Sequence, residues 1–202
     1  MYINHDKKFV FIHVPKTAGS SIHVLFKNYF NVQDRSDPLP DIHHISISDL
    51  ISKDKNLEKY YKFAVVRNPF ARFYSGYKDF YQNRLTDRKY HPYHIDPKCS
   101  FKDFCENFLS SPWCEDVHFK PQKFFLTKNQ EIAVDEIVRH ESINNDLSKV
   151  FFKIGVNAKL GKRHHRKTKD PFSSYREAYD DESREIVENL YKEDLKLFNY
   201  EF

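Results

Sequence analysis

No stretch of this chain approaches the ~18 consecutive apolar residues that a membrane helix needs, and no hydrophobic segment stands before the first apolar run at Phe9. Neither a transmembrane segment nor a secretory leader is therefore expected. No Asn-x-Ser/Thr glycosylation acceptor occurs. The cysteines are only three, Cys99, Cys105 and Cys114, an odd number without metal-ligand spacing. That pattern points to a reduced, cytoplasmic protein, with a disulfide among the three as the alternative. Glycine is scarce too, at four residues, and no Gly-x-x-x-x-Gly-Lys-Ser/Thr phosphate loop can be written anywhere. No repeat and no low-complexity segment occur, and no His/Cys/carboxylate cluster suggests a metal.

What is present belongs to a folded chain. Of 202 residues, 40% are hydrophobic and 16% aromatic, with 19 Phe and 13 Tyr, a content that excludes disorder. The length suits one domain with a proper core. Lys and Arg number 33 against 29 Asp and Glu, for a net charge of +4. This mild excess suits an anionic ligand and is too weak to imply nucleic acid.

Residues 9–14 read as a buried strand and Ser20 to Phe30 as an amphipathic helix, with Ile22, Leu25, Phe26 and Tyr29 at helical spacing. Residues 34–40 form a loop, and 41–50 a short strand leading into a helix capped near Ser48. Tyr61 to Val66 is a second core strand, followed by a helix that Pro69 starts. Arg84 to Cys99, interrupted by Pro92 and Pro97, reads as a long loop suited to covering an acceptor. Phe101 to Leu109 looks helical, Phe124–Leu126 and Glu136–Arg139 look like strands, and Ile143 to Phe152 is a helix. A basic loop follows, and Asp181 to Leu197 closes the chain as one amphipathic helix. Strands alternating with helices indicate an α/β protein with a mainly parallel sheet flanked by helices.

Two of these strands break into chemically similar turns. The first gives Pro15-Lys16-Thr17-Ala18-Gly19-Ser20-Ser21: a lysine, hydroxyls and unpaired N–H groups at a helix start, where the dipole favours phosphate or sulfate. Lys16 precedes the single glycine, so the geometry differs from a Walker loop. The second gives Arg67-Asn68-Pro69-Phe70-Ala71-Arg72-Phe73-Tyr74-Ser75-Gly76-Tyr77. Arg72 and Ser75 lie three apart on a helix and Arg67 ends the strand, so two guanidiniums and a hydroxyl converge on one phosphate. Two anion sites on neighbouring turns suit a nucleotide with phosphate groups at both ends, collected at the C-terminal ends of the strands.

Together the two motifs resemble the nucleotide signatures of the sulfotransferases that use 3′-phosphoadenosine 5′-phosphosulfate (PAPS). They are most similar to the carbohydrate O-sulfotransferase branch with the heparan sulfate 2-O-sulfotransferases and bacterial relatives. The resemblance implies a P-loop-like sulfotransferase fold over a single domain, residues 1–202. It implies that Lys16, Thr17, Ala18, Gly19, Ser20 and Ser21 hold the 5′-phosphosulfate, and that Arg67 and Ser75 hold the 3′-phosphate. His44-Ile45-Ser46 resembles the segment carrying the catalytic base. His43 and His44 point to opposite sides in extended structure, and the resemblance selects His44. His118-Phe119-Lys120-Pro121-Gln122 is similar to a recurring His-x-x-Pro-Gln segment, in which His118 is equally a structural or an acceptor-touching residue. His164-His165-Arg166-Lys167-Thr168 resembles a late loop that closes over the nucleotide, adding Arg166, Lys167 and Thr168 to its binders. Nothing in Arg84–Cys114 matches the family.

The implied reaction is transfer of a sulfuryl group to a carbohydrate hydroxyl, leaving 3′,5′-adenosine bisphosphate. Lys16 stabilises the leaving phosphate, His44 acts as general base, and no metal is called for. A cytoplasmic setting suggests a small, lipid-linked or nucleotide-linked glycan, so a glycan or glycolipid is the expected acceptor and nucleic acid is not a partner. His13, inside the first strand, reads as packed. Two rival functions stay open: an atypical nucleotide kinase, and a non-catalytic module that binds polyanions through the basic run Lys159–Lys169.

Overall fold

β2 (Phe9–Ile12) and β3 (Tyr61–Val66) lie side by side and parallel, with Phe9 opposite Tyr61 and Phe11 opposite Phe63. They belong to the four-stranded sheet of the computed structural model, which describes residues 1–31, 44–80, 99–161 and 172–202. β1 (Tyr2–Asn4) pairs antiparallel with β2, and β6 (Glu136–Arg139) pairs parallel with β3, giving the order β1-β2-β3-β6. The mixed, mostly parallel sheet flanked by helices makes this an α/β protein, as the alternation of elements implied. Two compact units are present: residues 1–67 with 122–163, and residues 68–121 with 164–202.

The first unit holds the sheet. Successive strand residues point to opposite faces, and Phe9, Phe11, Phe63, Val65 and Val138 share one face. α1 (Gly19–Tyr29) covers it with Ile22 and Phe26, and α6 (Ile143–Lys153) with Leu147, Val150 and Phe151. Each such side chain contributes about 1.5–3 kcal/mol when fully buried. Val10, Ile12, Ala64 and Val66 on the opposite face are buried as well. Burial on both faces explains why these strands read as continuous apolar runs. Lys62, in the middle of this sheet, donates its Nζ to the carbonyls of Glu58 and Tyr60 and pairs with Asp135 at 3.2 Å.

Smaller elements complete the unit. α2 (Ile47–Lys53) is capped by Ser46, not Ser48: the Ser46 hydroxyl accepts from the Asp49 N–H and donates to the Asp49 carboxylate. α5 (Gln122–Leu126) replaces the strand expected at Phe124–Leu126. Phe125 and Leu126 are buried while Phe124 is exposed, so the segment buries one side of a short helix. The two-residue strands β4 (Thr127–Lys128) and β5 (Glu131–Ile132) form a hairpin that periodicity had not suggested. The first core strand also ends two residues early, at Ile12, so His13 lies just beyond it.

The second unit is helical and aromatic. α3 (Pro69–Lys78) buries Phe70, Phe73, Tyr74 and Tyr77 against α4 (Phe101–Asn107) and α7 (Asp181–Leu190). Phe101, Phe104, Phe108, Phe119 and the sole tryptophan, Trp113, join the same cluster. Edge-to-face pairs such as Phe73–Phe108, with centroids at 5.1 Å, are worth about 0.5–1.5 kcal/mol beyond area burial. Capping boxes at Ser100/Asp103 and Asp180/Ser183 start α4 and α7. The expected final helix is two: α7 stops at Leu190 and α8 (Lys192–Phe198) begins after Tyr191. The buried Tyr191 hydroxyl donates to the Phe119 carbonyl at 2.7 Å, fixing the residue at the break.

Among the described residues no helix is long and apolar enough to cross a membrane. The loop expected at 84–99 falls almost wholly outside the described residues, as do His43, Arg166, Lys167 and Thr168.

Candidate functional site

At the C-terminal end of β2 the chain passes through Pro15–Ala18 into α1. Lys16 (φ 67°) and Ala18 (φ 70°) both take left-handed backbone conformations without being glycine. Such residues are uncommon there and persist only where surrounding structure holds them. Left-handed steps in a tight turn make successive N–H groups converge into an anion-binding concavity. α1 opens with no side-chain cap and no acidic residue in its first turn, so its dipole and first N–H groups add to that field.

The side chains of the loop divide their tasks. Thr17 is fully buried, and its hydroxyl donates to the Val14 carbonyl at 2.8 Å. It braces the turn. Ser20 is exposed and Ser21 half-buried. Gly19 is demanded by close approach: a Cβ there would stand 1.8 Å from Cδ2 of His13 and 2.0 Å from its Nε2.

His44 sits against the same loop. Its Nδ1 lies 3.2 Å from the His13 carbonyl, and the two imidazole centroids are 4.5 Å apart. A carbonyl only accepts, so Nδ1 carries the proton of neutral His44 and Nε2 carries the lone pair. This is the tautomer a general base needs.

Arg67 ends β3 and reaches the loop as well. Its Nη1 donates to the Lys16 carbonyl at 3.2 Å. Gln122, fully buried at the start of α5, holds the Arg67 backbone from both sides: its Oε1 accepts from the Arg67 N–H and its Nε2 donates to the Arg67 carbonyl, each at 2.9 Å. The His-x-x-Pro-Gln segment thus supplies a residue that orients Arg67. His140 was not singled out from sequence, although it lies one residue past the Val66–Arg139 pair of the parallel register. Burial, with the Arg67 charge in support, pushes its imidazole down to about 4, so it is neutral at pH 7.

In the second unit Ser75 lies half-buried on α3. Arg72 departs from the expected convergence on a phosphate. It is 1% exposed; its Nη1 donates to the His118 carbonyl at 3.0 Å and its Nη2 to the Lys120 carbonyl at 2.7 Å. The Tyr191 ring lies 5.2 Å from its guanidinium carbon. α3 is buried almost all round, so Arg72 faces protein and acts as an internal clamp on residues 118–120. His118 is held in turn by Asp116, whose Oδ1 accepts from the His118 N–H at 2.8 Å and lies 2.7 Å from its Nδ1.

A groove of about 400 Å³ runs from Ser21 along Val24, Leu25 and Asn28 of α1, with residues 158–161 as its other wall. Tyr29 fixes that wall by accepting from the Asn157 N–H at 3.1 Å.

Residues 1–201 match the family model described as "Sulfotransferase family". The chain belongs to this family. No curated protein and no solved structure gives a match. This sulfotransferase is therefore a transferase that moves a sulfuryl group to an acceptor.

Proposed function

We propose that this sulfotransferase takes the sulfuryl group from PAPS and passes it to a hydroxyl of a carbohydrate acceptor, a glycan or glycolipid, with the whole chain acting as one domain in the cytoplasm. The observation that carries the reading is the meeting of three groups at one loop. Arg67 and His44 both make hydrogen bonds to the segment His13–Lys16, and the N–H groups of that segment lead into an uncapped helix.

In this reading Lys16, the main-chain N–H groups of Thr17, Ala18 and Gly19, and the Ser20 and Ser21 hydroxyls hold the 5′-phosphosulfate. Arg67 takes the 3′-phosphate, the role the resemblance gives it together with Ser75; Arg166 and Lys167 add counter-charge and Thr168 a hydroxyl donor. The groove beginning at Ser21 suits the nucleoside. His44 Nε2 takes the proton of the acceptor hydroxyl as its oxygen bonds to sulfur and the bond from sulfur to the phosphate oxygen breaks. Lys16 and the N–H groups stabilise the charge left on that oxygen. 3′,5′-Adenosine bisphosphate then leaves, and His44 returns its proton to water.

The test is calorimetric titration with 3′,5′-adenosine bisphosphate beside ADP, ATP and 5′-AMP. Selective binding of the bisphosphate, lost in Arg67→Ala, is the expected result. Equal affinity for all four, or none, would overturn the donor assignment.

A further inference from the structure

We infer that His13 is a positioning residue for His44, its ring forming the spacer that sets the base against the anion loop. The inference rests on the reading of His44 as the base and adds a residue that neither motif assigns a role. Three observations meet at His13. Its carbonyl lies 3.2 Å from His44 Nδ1 and so selects the tautomer. Its ring centroid is 4.5 Å from that of His44, with the planes tilted by 55°. The same ring rests so closely on Gly19 that a methyl group there would overlap Cδ2, at 1.8 Å.

The ring is therefore in contact with both the loop glycine and the imidazole of His44. The Phe11 ring of the preceding strand runs nearly parallel to it at 6.1 Å. A hydrogen bond to a carbonyl fixes one point of an imidazole and leaves the ring free to swing about that point. The second contact, ring against ring, removes the swing. Because the same ring bears on Gly19, the distance from His44 Nε2 to whatever the loop holds is set by one rigid insert. Misplacing a reacting group by about 1 Å can cost on the order of 10²-fold in rate, so such an insert acts on kcat and leaves nucleotide affinity alone.

The test pairs a spectroscopic readout with kinetics on the full chain, using His13→Ala and His13→Phe. In protein labelled with [15N]histidine, wild-type His44 should show the shifts of a fixed Nδ1–H tautomer. His13→Ala keeps the carbonyl, so it should retain that tautomer but change the line widths of the His44 ring signals as the ring gains freedom to swing, lower kcat about 10–100-fold, and leave bisphosphate affinity within about 3-fold. His13→Phe keeps a flat ring as well, and should restore both the wild-type line widths and most of kcat. If the alanine protein does not fold, His13→Gln also removes the ring and carries the same expectation. Unchanged His44 line widths and kcat in the ring-less variants would overturn the inference, as would a folded His13→Phe protein that behaves like His13→Ala. A wild-type protein without sulfuryl transfer would sink the functional reading, and the His44 line widths would still decide the role of His13.

Discussion

The Arg67 guanidinium donates to the Lys16 carbonyl across 3.2 Å, joining two turns that lie 51 residues apart in sequence. The bond fixes a positive side chain against a left-handed residue whose own conformation is unfavourable. Gln122 then locks the Arg67 backbone from the other side. The result is an arginine held in place by the fold, which under the proposed function lowers the ordering cost of binding.

Arg67→Ala should therefore weaken 3′,5′-adenosine bisphosphate binding by roughly 10–150-fold, the equivalent of about 1.5–3 kcal/mol for hydrogen bonds to a charged group. Arg67→Lys should recover only part of the loss, because an ammonium keeps the charge and lacks the planar fork. Calorimetry on both variants checks this, and a lysine protein with wild-type affinity would show that charge alone suffices.

His44→Ala should lower kcat by about 10²–10⁴-fold, the usual worth of a positioned general base, with bisphosphate affinity little changed. Turnover at saturating donor is the measurement, and a wild-type rate would remove His44 from the mechanism.

Arg72→Met should behave differently from either. It removes donors from two carbonyls inside the aromatic unit, and each buried acceptor left without a partner costs about 1–3 kcal/mol. A loss of about 2–5 kcal/mol in unfolding free energy is expected, read by denaturant titration. Full stability in Arg72→Met would argue that Arg72 serves a ligand after all.

The contrast between the two arginines shows what the sequence could and could not convey. The strands were legible because burial on both faces leaves an unbroken apolar run, and the turns because proline, lysine and arginine interrupt it abruptly. Spacing placed Arg72 on the face of Ser75, but spacing does not say whether that face meets ligand or protein. α3 has almost no solvent face, and only packing against α4 and α7 reveals it. Phe124–Leu126 misled because three apolar residues are too few to display a period, and the choice between helix and strand passed to the burial pattern. The contact between His13 and Gly19 was invisible for another reason: it depends on left-handed conformations at Lys16 and Ala18, which neither residue type announces. His140 was overlooked because its place beside Arg67 follows from strand register, not from any motif.

pH should act through His140. Its imidazole titrates near 4 in the fold against 6.5 ordinarily, so the unfolded chain binds the proton more readily between those values. Stability is then fully present above about 6.5 and is lost as pH falls toward 4. His140→Asn should flatten that part of the profile while leaving stability above pH 7 closer to wild type. Chemical denaturation at pH 7.5, 6 and 5 measures it, and parallel profiles for the two proteins would contradict the assignment.

Gly19→Ala should damage binding and turnover together, because its methyl group and the His13 ring cannot share the space between them. Calorimetry and kcat on one preparation test this; loss of only one property would separate the loop from the base.

The sole tryptophan, Trp113, is 5% exposed and packs edge-on against Phe80 at 4.5 Å within the aromatic cluster. Indole fluorescence in this protein therefore arises entirely from the helical unit. It works as a private reporter for that half of the chain, while the unit that holds the sheet, with Lys16, His44 and Arg67, emits no indole signal of its own. A fluorescence-monitored melt describes the aromatic unit, and the sheet needs a second probe, such as an indole placed by substitution on the exposed face of α6 at Phe152.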